Sequence, residues 1–285
     1  MQNKTKSSKI GKIKEDDLLT IRKFSEITGI NQSKLRYYDD IELFQPAMRG
    51  DNGYRYYSAL QTTIANCINV VNSLNIPLKK FWDFKEKRTP EQILDLLHNQ
   101  KTDLDMELFR LQRAYAITHI YSCLIQEGLL ADEENIVSRP MAALPIELGP
   151  SNDFSSGYFY ESYFKFVEKM SERKIDSAFP VGGYYNDINA LSKTPGQPDK
   201  FFSLTPLGKE IKEAGEYLVG YTRGYYGKLG DLPQRLRAYA NEHGITFTGP
   251  VYEIYLHDEI TVEDPNRYLI QISVPIKAKK TIHKK

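Results

Sequence analysis

Two groups of side chains in this chain have the types and spacing that do chemistry. Lys34, Arg36, Tyr37, Arg49, Asn52, Gly53, Tyr54 and Arg55 fall in one short stretch. Cationic groups interleaved with aromatic rings neutralise phosphates, and a guanidinium can also read a guanine edge. The second group centres on Glu253, the one acid between Phe247 and Leu256. A carboxylate among aromatics is expensive to keep charged, so its pKa should rise unless a cation arrives. An organic cation would gain charge pairing and contact with aromatic faces together.

The elements that must position the first group follow from capping and turn signals. Thr20 suits the N-cap of a helix over Ile21–Thr28, and Gly29 suits its C′ position. Asn31 can cap a second helix through Tyr38. Two short helices joined by a glycine turn form a helix-turn-helix, whose second helix enters the major groove. Leu35 and Tyr38 face inward, which leaves Lys34, Arg36 and Tyr37 outward. Arg36 can meet a guanine edge or a phosphate, and the residues do not choose. Pro46 to Tyr57 reads as a hairpin turning at Asp51-Asn52-Gly53. This wing carries Arg49 and Arg55 beside Tyr54 and Tyr56, with Tyr57 as packing. Ser58 is expected to cap a helix whose core residues are Leu60, Ile64, Cys67 and Ile68. Pro77 opens a short helix ending near Trp82 to Phe84.

A capping box with proline at the first helical position, Thr89-Pro90-Glu91-Gln92, starts a long helix with no breaker before Gly128. Ile93, Leu97, Gln100, Leu104, Leu108, Leu111, Tyr115, Thr118, Ser122 and Ile125 form a heptad seam with one stutter. Such a stripe calls for a second copy, and two DNA half-sites call for two heads.

From about Asn135 the chain becomes rich in tyrosine and glycine. Ile175, Pro180, Val181 and Tyr185 recur 70 residues later as Ile245, Pro250, Val251 and Tyr255. Helices over Tyr160–Arg173 and Leu232–His243 precede these matches. Strands are expected at Val137–Glu147, Glu216–Thr222, Phe201–Leu204 and Tyr268–Ile276. Each half reads strand–helix–strand–strand, which predicts a curved antiparallel sheet with helices on one face and a cleft between the halves. Alternation sets Glu253 on one face with Val251 and Tyr255, and Tyr252, Ile254 and Leu256 on the other. The equivalent of Glu253 in the first half is Gly183, so folding of the duplicate does not require an acid there.

The predicted fold class is therefore α+β. The expected domains are a basic tail at 1–17, a winged helix-turn-helix at 18–88, a dimerisation helix at 89–128 and an effector-binding domain at 135–279. The formal charge of +1 hides an asymmetry. Residues 18–88 hold eleven Lys/Arg against seven Asp/Glu, and residues 89–285 hold 22 against 27. A basic front suggests that this part meets phosphate. Two cysteines without a CxxC spacing, and no membrane or signal segment, predict a cytoplasmic protein with no membrane partner.

The phrases TIRKFSEITGI (20–30), LRYYDDIELFQP (35–46), RGDNGYRYYS (49–58) and NIPLKKF (75–81) resemble the winged helix of MerR-family transcription regulators. The phrases GPVYEIYLHDE (249–259) and PNRYLIQISVPIK (265–277) resemble the GyrI-like effector domain, and the union resembles BmrR-type multidrug-responsive regulators. The resemblance implies a homodimer joined by an antiparallel coiled coil on double-stranded promoter DNA. It implies activation by distorting DNA so that RNA polymerase can use it. It carries the DNA role onto Arg36, Tyr37, Arg49, Asn52, Gly53, Tyr54 and Arg55. In the same way it implies a small hydrophobic, cationic ligand at Glu253, with Tyr158, Tyr184, Tyr225, Tyr252, Tyr255 and Tyr268 as pocket candidates. Metal-sensing relatives place several cysteines near the long helix. This chain has Cys123 there, one turn from His119, so no metal, cofactor or catalytic residue is expected. Where many GyrI-like domains read His-x-Gly-x-Tyr, this chain reads Thr222-Arg223-Gly224-Tyr225-Tyr226. Arg223 is thus expected to bring positive charge to the cleft. Two other readings stand beside the sensor: a GyrI-like hydrolase using Glu253 as acid or base, and an architectural DNA binder without a working sensor.

Overall fold

The computed structural model describes residues 18–82, 89–155, 157 and 159–278. The basic tail, Phe84 and Tyr158 lie outside these. The chain forms two compact units, residues 1–107 and 108–285.

In the first unit a three-stranded sheet of β1 (Leu18–Thr20), β3 (Arg55–Ser58) and β2 (Met48–Arg49) accompanies α1 (Ile21–Thr28), α2 (Gln32–Asp40), α3 (Gln61–Ser73) and α4 (Leu78–Trp82). The local signals operate as expected. Thr20 accepts from the Lys23 N–H, Gly29 ends α1 at φ +73°, and Asn31 accepts from the Lys34 N–H. Leu35, Tyr38 and Tyr57 are buried, and Tyr57 stacks 4.6 Å from Phe24 between centroids. The start of α3 departs from expectation. The Ser58 N–H donates to Gln61 Oε1, and α3 begins at Gln61 without a side-chain cap. Ala65, Ile68 and Val71 face the core, while Leu60, Ile64 and Cys67 are exposed. The buried stripe keeps Ile68 of the expected set and takes Ala65 and Val71 in place of Ile64 and Cys67.

One helix, α5 (Pro90–Leu130), joins the units; its 41 residues span about 62 Å. Thr89 and Gln92 bond reciprocally as a capping box. Gly128 does not end this helix; it lies buried within it. Leu97, Leu104, Leu108, Leu111 and Tyr115 of the seam are exposed.

The second unit holds β4 (Val137–Met141), β5 (Leu144–Ser151), α6 (Phe159–Glu172), β6 (Val181–Tyr185), α7 (Ile188–Lys193), β7 (Lys200–Leu204), β8 (Glu210–Lys212), β9 (Gly215–Arg223), α8 (Leu232–Glu242), β10 (Ile245–Phe247), β11 (Val251–His257) and β12 (Leu269–Ala278). The expected strand Val137–Glu147 is two strands broken at Ala142-Ala143, and the second of them is the counterpart of β9. The sheet order is β4-β9-β12-β11-β6-β7-β5-β8, with β10 added on β12. At the 70-residue offset β9, β12 and β11 correspond to β5, β7 and β6, so the order is palindromic about the β11–β6 pair. Glu253 and Gly183 are themselves cross-strand partners and mark the pseudo-twofold axis.

Cross-strand partners share a face, and the row Gly220, Ile272, Glu253, Gly183, Phe201 runs across the sheet. Leu232 and Leu236 of α8 cover Gly220 at one end. Phe166 and Met170 of α6 pack with Phe201 at the other. Glu253 therefore sits between the two helices. The opposite face buries Tyr252, Ile254 and Leu256 with Leu124 of α5.

Close approach at the axis makes a stability test. A β carbon on Gly182 would lie 2.3 Å from the Glu253 carbonyl oxygen and 2.7 Å from the Phe202 ring. Gly182→Ala should lower stability by about 1–3 kcal/mol, the usual cost of overpacking. A thermal melt with an unchanged midpoint would contradict this packing.

Candidate functional site

The recognition helix α2 presents Lys34, Arg36 and Tyr37 outward, with Tyr37 58% exposed. Across from it the wing turns through Gly50 to Gly53, where the Gly53 N–H donates to the Gly50 carbonyl. Asn52 Oδ1 accepts from the Tyr54 N–H at 3.0 Å, and Gly53 has φ +77°. Both residues therefore build the turn that presents Tyr54, 61% exposed. Arg49 and Arg55 have a further task that the spacing did not reveal. Arg49 Nη2 and Arg55 Nε lie 2.6 and 2.5 Å from Oδ2 of Asp39, a buried residue on α2. Arg55 also reaches Asp40 at 3.3 Å. Charge-assisted bonds of this kind are stronger than neutral ones, so the buried carboxylate fixes the wing against the recognition helix. The Arg49 side chain keeps 53% exposure and Arg55 only 22%. Helical spacing offered Tyr38 or Asp39 as the inward neighbour of Leu35, and both are buried, but the ion pairs of Asp39 were not legible.

In the second unit the Glu253 side chain is buried beneath two tyrosines. The Tyr185 hydroxyl donates to Oε2 at 2.8 Å, and the Tyr255 hydroxyl donates to Oε1 at 3.2 Å. Desolvation pushes the Glu253 pKa up, against the pull of these two hydroxyls. Both tyrosines are pushed up too, by burial and by the carboxylate beside them. Each hydroxyl in turn accepts a backbone N–H, Tyr185 from Gly196 and Tyr255 from Gly227. Gly196 and Gly227 lie back to back at φ +75° and +76°, so close that a β carbon on Gly196 would overlap Gly227. Two loops thus meet at glycines, each tied to a tyrosine that holds the acid. Pro198 flanks the acid on the Gly183 side.

Of the pocket candidates, Tyr255 touches Glu253, and Tyr225, Tyr255 and Tyr268 gather around Tyr226. The Tyr226 ring lies 5.3 Å from Tyr225, 4.8 Å from Tyr255 and 5.7 Å from Tyr268. Its hydroxyl donates to Glu259. Tyr184 and Tyr252 meet each other edge to face on the opposite side of the sheet, and Tyr252 also meets Phe202 there. Alternation along β6 and β11 explains this, because both strands place even-numbered residues away from Glu253. Tyr185 and Tyr226 were missed as pocket residues, although the repeat already equates Tyr185 with Tyr255. Arg223 does not bring free charge to the cleft. It pairs with Glu133 at 2.7 Å and donates to the Arg267 carbonyl. His119 and Cys123 lie 3.9 Å apart on exposed helix surface. Among the described residues no group of three or more His, Cys, Asp or Glu gathers as a metal site would. No described helix is long and apolar enough to cross a membrane.

A winged helix-turn-helix followed by a long helix and a sheet domain defines a DNA-binding transcription regulator. Residues 20–57 match the family described as MerR family regulatory protein. Transcriptional regulator BrlR of Pseudomonas aeruginosa is 34% identical over 211 residues, 72% of this chain and 74% of that relative. The multidrug-efflux transporter 2 regulator of Bacillus subtilis is 24% identical over 264 residues, 90% and 96% of the two chains. Among solved structures, the EcmrR–DNA complex from the EcmrR–RPo assembly covers 92% of this chain and 100% of its own, at 16% identity and a TM-score of 0.37. The chain belongs to the MerR family.

Two consequences are measurable. Asp39→Ala leaves two guanidinium groups without their acceptor and should destabilise the first unit by about 1–3 kcal/mol; denaturant unfolding of the full chain checks this. A carboxyl whose folded pKa is raised from 4.5 favours the folded state when protonated, so stability is lost as pH rises from about 4.5 through the folded value. Glu253→Gln removes that loss. Its melting temperature should exceed that of the wild type at pH 8, and the difference should close near pH 4. A constant difference across this range would contradict the assignment.

Proposed function

We propose that the chain is a homodimeric, ligand-switched activator whose second unit receives a hydrophobic organic cation at Glu253. The single observation that carries this reading is a buried carboxylate whose two partners are tyrosine hydroxyls, neither of them a cation. Hydroxyls can satisfy its lone pairs, yet they leave the charge unopposed in a poorly solvated place. A lipophilic cation would supply the missing charge, and the rings of Tyr225, Tyr226, Tyr255 and Tyr268 offer it aromatic faces. The Gly196 and Gly227 loops would have to part for entry. A relative named as a multidrug-efflux transporter regulator supports a drug-like small molecule as the ligand.

On the DNA side, Lys34, Arg36, Tyr37, Arg49, Tyr54 and Arg55 are proposed to contact the duplex, with Asn52 and Gly53 shaping the wing tip. The exposed seam of Leu97, Leu104, Leu108, Leu111 and Tyr115 supports pairing with a second copy as a coiled coil. Two linked heads on one promoter could then twist or kink the DNA between them, a change of shape that RNA polymerase would read.

The test separates the two functions. Promoter DNA is first obtained by in vitro selection with the wild-type protein, and tetraphenylphosphonium serves as the lipophilic cation. Arg36→Ala should lose at least about 10-fold in DNA affinity and keep its affinity for the cation. Glu253→Gln should keep DNA affinity and lose the cation. Equal loss of both activities in either variant would sink this division.

A further inference from the structure

The contact between α5 and the strand that carries Glu253 has no slack. His257 Nε2 lies 3.3 Å from the Ile125 carbonyl oxygen of α5. A carbonyl only accepts, so Nε2 carries the proton and donates. A β carbon on Gly128 would fall 2.5 Å from Nε2 and 2.8 Å from Cδ2 of the same ring. This explains a glycine inside a helix, where it costs about 1 kcal/mol relative to alanine. Only a bare helix backbone can sit against the imidazole.

His257 ends β11, four residues beyond Glu253 and two beyond Tyr255, so it lies about 13 Å along the strand from the acid. The pairing of β11 with β12 shifts register between Tyr255 and His257. An irregularity of this kind is a place where a strand can be re-aimed. Its neighbour Glu127 also ties α5 to the sheet, through Arg139, Gln271 and the Tyr221 hydroxyl. Those are long side chains that rotate to absorb a shift. At Gly128 there is nothing to rotate.

We propose that His257 is the positioning residue that transmits occupancy of the Glu253 site to α5. The proposal rests on the reading of Glu253 as the ligand's partner. When a cation draws the carboxylate and the Tyr255 hydroxyl toward itself, β11 moves beyond Tyr255. The imidazole then presses on, or withdraws from, the helix backbone at Ile125 and Gly128. Packed interiors compress little, so the end of α5 must follow. The helix is continuous back to Pro90, and the displacement runs toward the DNA-binding residues.

Hydrogen–deuterium exchange on the full chain, with and without saturating tetraphenylphosphonium, tests this. In the wild type the cation should change the exchange of α5 amides. His257→Ala and Gly128→Ala should bind the cation, while the α5 response falls at least about five-fold, the low end of ordinary allosteric coupling. His257→Gln, which can donate to the same carbonyl, should restore the response, as a merely structural histidine would not require. If His257→Ala fails to fold, Gly128→Ala poses the same question from the helix side. A full α5 response in both alanine variants would overturn the proposal. So would cation binding by the wild type with no α5 response, which would leave the reading of Glu253 intact. If the wild type does not bind the cation, that reading falls and this proposal falls with it.

Discussion

The carboxyl of Glu253 lies buried at the centre of the second unit's sheet. Glu253 stands on the pseudo-twofold axis of a duplicated sheet, opposite a glycine in the paired strand. Neither repeat alone makes such a place. The acid comes from one half, one holding tyrosine from each half, and one glycine loop from each half. Loss of hydration raises the free energy of the charged form, and the two hydroxyls recover only part of it. Protonation, or a cation, would remove that cost. The positive-φ glycines at 196 and 227 let the two loops meet without a side chain between them.

The first unit uses a buried carboxylate in the opposite way. Asp39 receives two guanidinium groups, so its charge is matched and acts as a fixed joint between recognition helix and wing. Asp39 is met by two cations, whereas Glu253 is met only by tyrosine hydroxyls. Arg55 shows the compromise, since a side chain held by Asp39 and Asp40 has fewer free donors for a phosphate than its place on the wing suggests.

Much of this was legible in the residues. Thr20, Gly29, Asn31 and Thr89 are local signals, and each acts through atoms within four positions, so sequence suffices. The 70-residue offset set Tyr185 opposite Tyr255 in role, and alternation set Glu253 apart from Tyr252. What stayed hidden depends on distant backbone. Gly128 reads as a helix breaker because glycine weakens helices, and only the position of His257, far along the chain, shows why the helix continues through it. Arg223 reads as free charge until Glu133 appears beside it. Helical spacing can turn Asp39 inward, but its guanidinium partners appear only when the wing folds back over it. Leu60, Ile64 and Cys67 look like core because a short helix offers two plausible stripes, and tertiary packing chose the other. The place of the buried acid on the sheet was therefore readable from pattern, while the contacts that hold it and link its strand to the long helix were not.

Burial raises the pKa of Glu253, and the proposed function has it exchange its proton for a cation. Calorimetric titration with tetraphenylphosphonium at about pH 5.5, above the ordinary carboxylate range, in buffers of different ionisation enthalpy, measures that exchange directly. Protons should be released on binding in the wild type and not in Glu253→Gln. Binding with no buffer dependence, and with equal affinity in the two proteins, would contradict it.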